Sequence, residues 1–239
     1  MNDEGAEVRP TGDVRFAVVG AEAGALATAD AEHVPDPADA DVLVAVGETG
    51  LDAVAAATPT DTPVLAVDVD GPLSVSRERA ADLLPAVASG AVETTPQPLL
   101  AVECGDERAT ALADVTLVTA EPARISEFSV RSDGRQVDRF RADGAVLATP
   151  LGSHGYAHDA GGPVLAPDAD SLVAVPISPF AIGADRWVLP TAQTTVRVER
   201  EDAPVEWYAD ATRVGTVTPD QPVRVRPAGV VPFVRPPGQ

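Results

Sequence analysis

The stretch Asp143-Gly144-Ala145-Val146-Leu147-Ala148-Thr149-Pro150-Leu151-Gly152-Ser153-His154-Gly155-Tyr156, followed by Ala160-Gly161-Gly162-Pro163, concentrates the residue types that could do chemistry. An apolar strand runs into a turn dense in glycine and small hydroxyl residues. Such a turn lets backbone N–H groups and the Ser153 hydroxyl approach a ligand closely. By composition alone the pattern also fits a pair of tight turns that need positive φ. His154, His158 and Asp159 have metal-ligand character, and histidines four apart share a helix face. Gly155 and the Gly161-Gly162-Pro163 stop argue against a helix, and no third strong ligand is near, so no metal site is assigned. Gly152-Ser153-His154-Gly155 has part of the Gly-x-Ser-x-Gly elbow of serine hydrolases. Leu151 stands where its first glycine belongs, and no long helix follows. Gly20 and Gly24 do not complete Gly-x-Gly-x-x-Gly, so they carry no dinucleotide assignment.

The elements that must carry these residues first alternate strand and helix. Val14 to Val19 is a short apolar run ending at Gly20, and Ala21 to Ala29 is Ala-rich and helix-compatible. Pro35 and Pro37 interrupt the pattern. Asp41 to Val46 reads as a second buried strand, ended by Gly47-Glu48-Thr49-Gly50. A short helix is expected over Leu51 to Ala57 and a third strand over Pro63 to Val67. Arg77 to Ser89 reads as an amphipathic helix with Leu83, Leu84 and Val87 on one side. This spacing implies an open, doubly wound parallel sheet.

From Pro96 the texture becomes a series of short strands: Leu99 to Glu103, Val115 to Val118, Ile125 to Val130, Gln136 to Arg141 and Ala145 to Ala148. Leu172 to Val175, Trp187 to Leu189, Thr194 to Glu199, Val205 to Ala209 and Val223 to Val225 continue it. Asp133-Gly134 and Asp143-Gly144 are turn signals. The fold class expected is α/β plus all-β: an N-terminal open doubly wound α/β domain over 1–94, then a C-terminal β-sandwich-like domain over 95–226. A Pro-rich tail over 227–239 is expected to run over the surface.

Composition narrows the function classes. In 239 residues, 45% are hydrophobic, which excludes global disorder. Seventeen basic against 37 acidic residues give a net charge of −20, and every basic residue is Arg. That field opposes nucleic-acid binding. No apolar run reaches membrane-spanning length, and Met1 to Asp13 is too acidic for a secretory signal. A lone Cys104 excludes an internal disulfide. These features predict a soluble cytoplasmic chain with no membrane and no nucleic-acid partner. An acidic surface without lysine suits a salt-filled, halophilic cytoplasm, because the Debye length at molar salt is only about 3 Å.

The Asp143–Pro163 stretch resembles the signature of ATP-NAD kinases, which reads Asp-Gly, an apolar strand, Thr-Pro-Thr-Gly-Ser-Thr-Ala-Tyr, then Ser-Ala-Gly-Gly-Pro. Asp143, Gly144, Thr149, Pro150, Gly152, Ser153, Tyr156, Ala160, Gly161, Gly162 and Pro163 match, while Leu151, His154 and Gly155 depart. Pro176-Ile177-Ser178-Pro179-Phe180 and Arg186-Trp187-Val188-Leu189-Pro190 are similar to the family's Pro-Ile-Cys-Pro-His segment and Arg-Pro-Ile-Val strand. The family's Gly-Gly-Asp-Gly-Thr phosphate loop aligns with Val46-Gly47-Glu48-Thr49-Gly50. The resemblance implies Glu48 in the role of the aspartate that accepts the 2′-hydroxyl proton of the adenosine ribose. Its stem is one methylene longer, and about 1 Å of misplacement can cost about a hundredfold in rate. Gly47 and Gly50 fall in the phosphate loop, with Thr49 beside them. The family's Asn-Glu or Asn-Asp pair becomes Ala113-Asp114, its Asp-Gly-Gln turn becomes Asp210-Ala211-Thr212, and its Leu-Gly-Phe gives way to Gly71-Pro72-Leu73.

On this resemblance the substrate-binding residues are Thr49, Asp114, Arg141, Asp143, Gly152, Ser153, His154, Gly155, Tyr156 and Thr212. The implied ligands are ATP, Mg²⁺ and NAD. The family assembles so that one subunit's β half completes a neighbour's site, which implies a homo-dimer or homo-tetramer. Three functions stay open: ATP-dependent phosphorylation of NAD at the 2′ position, a kinase fold acting on another nucleotide or small polyol, and a nucleotide-binding module without catalysis. The charge balance makes its own prediction. Helix and strand signal should fall in dilute buffer relative to molar KCl, and a far-UV circular dichroism spectrum identical in the two would reject the salt-adapted reading.

Overall fold

The computed structural model describes residues 14–20, 31–57, 61–121, 124–181 and 184–237. The helix expected over Ala21 to Ala29, with Gly24, lies outside the described residues, as does the Met1–Asp13 segment.

Parallel strands β1 (Val14–Val19), β2 (Ala31–His33), β3 (Val42–Val46), β4 (Val64–Val67) and β5 (Ser74–Val75) build the first part, with helices α1 (Gly47–Ala56) and α2 (Arg77–Ala88). β3 and β4 are buried on every residue, the mark of strands covered on both faces. Leu51 and Val54 of α1 pack with Ala17, Leu43, Ala45 and Ala66 on one face. Leu83, Leu84 and Val87 of α2 pack with Phe16, Val42, Val44 and Leu65 on the other. Alternate strand residues therefore serve opposite helices, and the sheet is doubly wound.

The remaining strands are β6 (Thr94–Cys104), β7 (Glu107–Ala111), β8 (Asp114–Thr119), β9 (Ser126–Ser132), β10 (Arg135–Ala142), β11 (Gly144–Ala148), β12 (Ser171–Ile177), β13 (Trp187–Pro190), β14 (Thr194–Arg200), β15 (Val205–Ala209), β16 (Thr212–Val217) and β17 (Val223–Val234). A six-stranded antiparallel sheet runs β13-β12-β11-β8-β15-β16. It faces β6, β7, β9, β14 and β17 across a core that includes Trp207, Phe128, Leu100, Leu117 and Leu147. This is the expected sandwich.

One expectation is overturned. The segment after Pro227 is not a surface tail: β17 continues to Val234, pairing with β6 from Arg224↔Glu103 to Val234↔Thr94. On its other side it meets β14 at Val223–Val225 and β4 at Phe233↔Val64. The strand thereby splices the parallel sheet and one sandwich sheet into a single eleven-stranded sheet. The prolines are tolerated for a geometric reason. Pro96 lies opposite Pro232, a position where neither strand needs an N–H donor in the ladder.

Phe233 is 0% exposed, packed with Val231, Leu99 and Leu112. Phe233→Ala should therefore cost about 3–5 kcal/mol in a denaturant titration run in molar KCl, as a core phenylalanine does. A surface tail would show no loss.

Candidate active site

Five chain segments converge on a cavity of about 390 Å³. Glu48 and Leu51 come from the first turns of α1, Val69 and Asp70 from the connection after β4, Asp114, Thr116 and Val118 from β8, and Leu151, Gly152, Gly155 and Tyr156 from the turn after β11. Tyr208, Asp210 and Ala211 close it from the β15–β16 hairpin. The floor follows from strand alternation. Val115 and Leu117 enter the sandwich core, so Asp114, Thr116 and Val118 must face out, and Tyr208 stands opposite Thr116 in register.

The phosphate loop expected at Gly47–Gly50 is instead the first turn of α1, which begins directly after β3. Gly50 is buried: a Cβ there would lie 2.7 Å from the Ala45 carbonyl carbon and 2.9 Å from the Val19 oxygen. Its lack of a side chain serves helix-on-strand packing, not close approach of a phosphate. Gly47 has φ +63° and open space around it, and Thr49 is exposed on the helix. Glu48, also exposed, stands at the cavity mouth.

The segment 112–114 is held from two sides. The Asp210 carboxylate accepts the backbone N–H groups of Leu112 at 2.9 Å, Ala113 at 2.7 Å and Asp114 at 2.9 Å. Asp210 itself adopts φ 51°, the left-handed conformation an aspartate tolerates in a tight hairpin turn. From the other side the Thr149 hydroxyl donates to the Leu112 carbonyl at 2.6 Å, and the Thr149 N–H donates to Ala113 at 2.9 Å. Gly152 then packs so closely that a Cβ would sit 2.2 Å from the Ala113 oxygen. Glycine at 152 is thus required by the backbone of 113.

The sequence-expected residues separate into those that reach the cavity and those that do not. Glu48, Asp114, Gly152, Gly155 and Tyr156 line it together. Ser153 does not: its hydroxyl is fully buried, donating to the Pro150 carbonyl at 2.8 Å and accepting the Leu165 N–H at 2.9 Å. His154 turns the other way, its ring 3.0 Å from where a Gly71 Cβ would lie, in a crevice with Pro72 and Pro167. Burial holds its imidazole below the usual range, with His158 adding to the effect. Thr212 donates its hydroxyl to Asp52 at 2.8 Å. Arg141 is an outer-surface residue, 3.7 Å from Asp202 and over the Phe180 ring. Asp143 is half-buried, its backbone tied to Ile177 and Thr119. Asp70, Tyr208 and Asp210 were not among the expected site residues. Only Asp210 had a sequence signal, the tight Asp-Ala-Thr turn.

The electrostatics are one-sided. Among the described residues lining the cavity, four are carboxylates and none is Arg. Burial pushes Asp114 up to about 7; the Thr116 hydroxyl, 2.8 Å from its Oδ1, opposes this, and the charges of Asp210, Glu48 and Asp52 reinforce it. Burial likewise lifts Asp210 to about 6 against its three N–H donors. The Tyr156 hydroxyl is raised by burial and then by Asp114 and Asp143. Among the described residues no group of three or more His, Cys, Asp or Glu is placed to hold a metal ion. A Mg²⁺ ion carried in by a nucleotide is another matter, because it keeps phosphate and water ligands and needs only one or two protein carboxylates. The carboxylates here fit that demand.

An open parallel α/β sheet is continuous with a β-sandwich, and a carboxylate-lined cleft lies where they join. Residues 112–230 match the model of the ATP-NAD kinase C-terminal domain. An NAD kinase of Methanosarcina acetivorans is 35% identical over 123 residues, 51% of this chain and 45% of that relative. The crystal structure of an NAD kinase from Archaeoglobus fulgidus in complex with ATP is similar at a TM-score of 0.70 and 26% identity, covering 92% of this chain and 93% of that one. The yeast NADH kinase complexed with NADH shares the fold, at a TM-score of 0.72 and 22% identity, over 86% of this chain and 65% of that one. The chain belongs to the ATP-NAD kinase family. The stretch matched spans less than half the length of the Methanosarcina acetivorans relative.

The buried carboxyl gives a signed prediction. The folded-state pKa of Asp114 is raised from 3.8 to about 7, so folding favours its neutral form. That contribution is full below the unfolded value and is lost as pH rises through about 7. Asp114→Asn, which can still accept the Thr116 hydroxyl, should raise the melting temperature in molar KCl at pH 8 and change it little at pH 4. An equal shift at both pH values would show that Asp114 is not the titrating group.

Proposed function

We propose that this protein transfers the γ-phosphoryl group of ATP to the adenosine ribose 2′-hydroxyl of NAD, making NADP and ADP. What carries the reading is the convergence of Glu48, from the first turn of α1, with Asp114, Gly152 and Tyr156 on one cleft. Those positions stand where the family resemblance puts the proton acceptor and the nucleotide-binding residues.

On this reading the 2′-hydroxyl oxygen attacks the γ-phosphorus as its proton passes to the Glu48 carboxylate, and the bond to the ADP oxygen breaks. Tyr156 and Tyr208, both in the lining, offer aromatic surface to the flat groups of the nucleotide. Asp114 accepts ribose hydroxyl hydrogen bonds from the floor. Mg²⁺, held by the nucleotide phosphates with Glu48 or Asp114 as a protein ligand, would neutralise charge that no arginine in the cleft offsets. The α/β part forms the ATP side and the sandwich the NAD side. The protein works as a homo-dimer or homo-tetramer in a salt-filled cytoplasm. Among the described residues no helix is long and apolar enough to cross a membrane.

Purified protein incubated with NAD, ATP and Mg²⁺ in molar KCl should form NADP. Glu48→Gln should lower kcat by about a hundredfold or more, the usual worth of a positioned base. Activity kept within severalfold would remove Glu48 from proton transfer. A thermal shift on adding NAD without any NADP formed would favour a nucleotide-binding module, a reading that the helical start at Gly47 supports.

A further inference from the structure

We propose that Asp52 is a positioning residue that locks helix α1, and with it Glu48, to the hairpin turn and strand entry that form the opposite wall of the cleft. The role in turnover rests on the function proposed above; the mechanical coupling does not.

Asp52 lies four residues after Glu48 on α1, so both side chains leave the same face of the helix. It is half-buried and points across to the β15–β16 turn. There it accepts the Ala211 N–H at 3.2 Å and the Thr212 hydroxyl at 2.8 Å. The residues joined are separated by 159 and 160 positions in the chain. Ala211 lines the cleft, whereas Asp52 and Thr212 line a second cavity of about 540 Å³, so the pair forms the partition between them.

The same two-residue turn begins with Asp210, whose carboxylate fixes the amides of 112–114. Those residues are tied in turn to Thr149 and to the backbone under Gly152. A continuous chain of hydrogen bonds thus runs from the helix carrying Glu48 to the turn carrying Gly152 and Tyr156. Asp52 is where the N-terminal half of α1 joins it; one turn further on, the Thr110 hydroxyl of β7 donates to the Ala55 carbonyl at 2.7 Å.

Electrostatics works against a carboxylate at this position, so its hydrogen-bond geometry is what it contributes. Its charge works against ionisation of both Asp114 and Asp210, the two carboxyls at the floor. A like charge beside two buried carboxyls is unfavourable, and a neutral acceptor would hold the turn at lower cost. What a carboxylate on this turn of α1 does supply is two acceptor oxygens aimed at two donors.

Two variants separate geometry from charge. In Asp52→Asn the amide oxygen takes the Ala211 N–H and the amide nitrogen donates to the Thr212 oxygen, so the link survives. In Asp52→Ala it is cut. In molar KCl, hydrogen exchange of the Leu112, Ala113 and Asp114 amides should speed up about tenfold or more in Asp52→Ala and stay near wild type in Asp52→Asn. The kcat for NADP formation should fall about tenfold or more in Asp52→Ala with KM for NAD within about threefold, and Asp52→Asn should recover it. If Asp52→Ala does not fold, Thr212→Val removes one of the two donors and should give a smaller change of the same sign in exchange. Unchanged exchange at 112–114 in the cut variant, or an Asn variant as impaired as the Ala one, overturns the proposal. If the wild type makes no NADP, the exchange measurement still decides the coupling while the kinase reading falls separately.

Discussion

The Asp210 carboxylate and the three backbone N–H groups it accepts are the joint on which the site depends. A carboxylate in a protein of net charge −20, half-buried and with no arginine among its hydrogen-bond donors, needs fixed donors to be tolerated. The amides of 112–114 supply them where β7 gives way to β8, leaving 112 and 113 free of the ladder. Removing that carboxylate would strand three N–H groups at once, so the turn and the strand entry are placed by one another. Strand alternation turns the Asp114 side chain to the cleft, and its N–H, given to Asp210, fixes where that strand begins. The floor of the cavity is therefore a consequence of satisfying backbone donors, with the ligand-facing side chain carried along.

The second constraint is β17. A twelve-residue strand that contacts β14 at one end and β4 at the other forces the parallel sheet and the sandwich to share one curvature. Helix α1 packs on one face of the parallel strands, and its N-terminal turn emerges beside the sandwich's outer face. The cleft is formed where those surfaces meet, which is why it draws residues from both ends of the chain. Neither half contains it alone.

Much of this was legible in the sequence, and the exceptions have physical causes. Asp41–Val46 and Pro63–Val67 read as buried strands because they are short continuous apolar runs, and Arg77–Ser89 as a helix because its apolar side is helical in period. The turn at Gly152–Tyr156 was visible because glycines and a tyrosine are local signals. Three kinds of feature were hidden. The strand past Pro227 looked like a loop because proline counts against a strand unless its missing N–H falls at an unpaired position, and only the register with Pro96 and Pro98 reveals that. Glu107–Ala111 and Thr212–Val217 are short and half polar, so their alternation is weak until a partner covers one face. Asp52 and Asp210 act on residues about a hundred or more positions away, and no window along the chain contains both ends of such a bond. Ser153 shows the converse: a hydroxyl in a glycine-rich turn looks available, yet Pro150 and Leu165 engage both its donor and its acceptor capacity.

The charge distribution sets one further condition on any phosphorylated ligand. At the outer surface, molar salt shortens the Debye length to about 3 Å, so the acidic field there hardly opposes an approaching anion. Inside the cleft, lined by Tyr156, Tyr208 and the β8 face, the partly buried carboxylates are screened less. A triphosphate meeting Glu48, Asp70 and Asp114 there would be repelled unless its charge were already matched. The raised pKa of Asp114 relieves part of this, since burial favours its neutral form. The rest must be neutralised by a cation that enters with the nucleotide. The acidity of the surface and the carboxylate crowding of the cleft are in this sense separable. The first is a field that salt screens, and the second favours a phosphorylated ligand that arrives with its own cation.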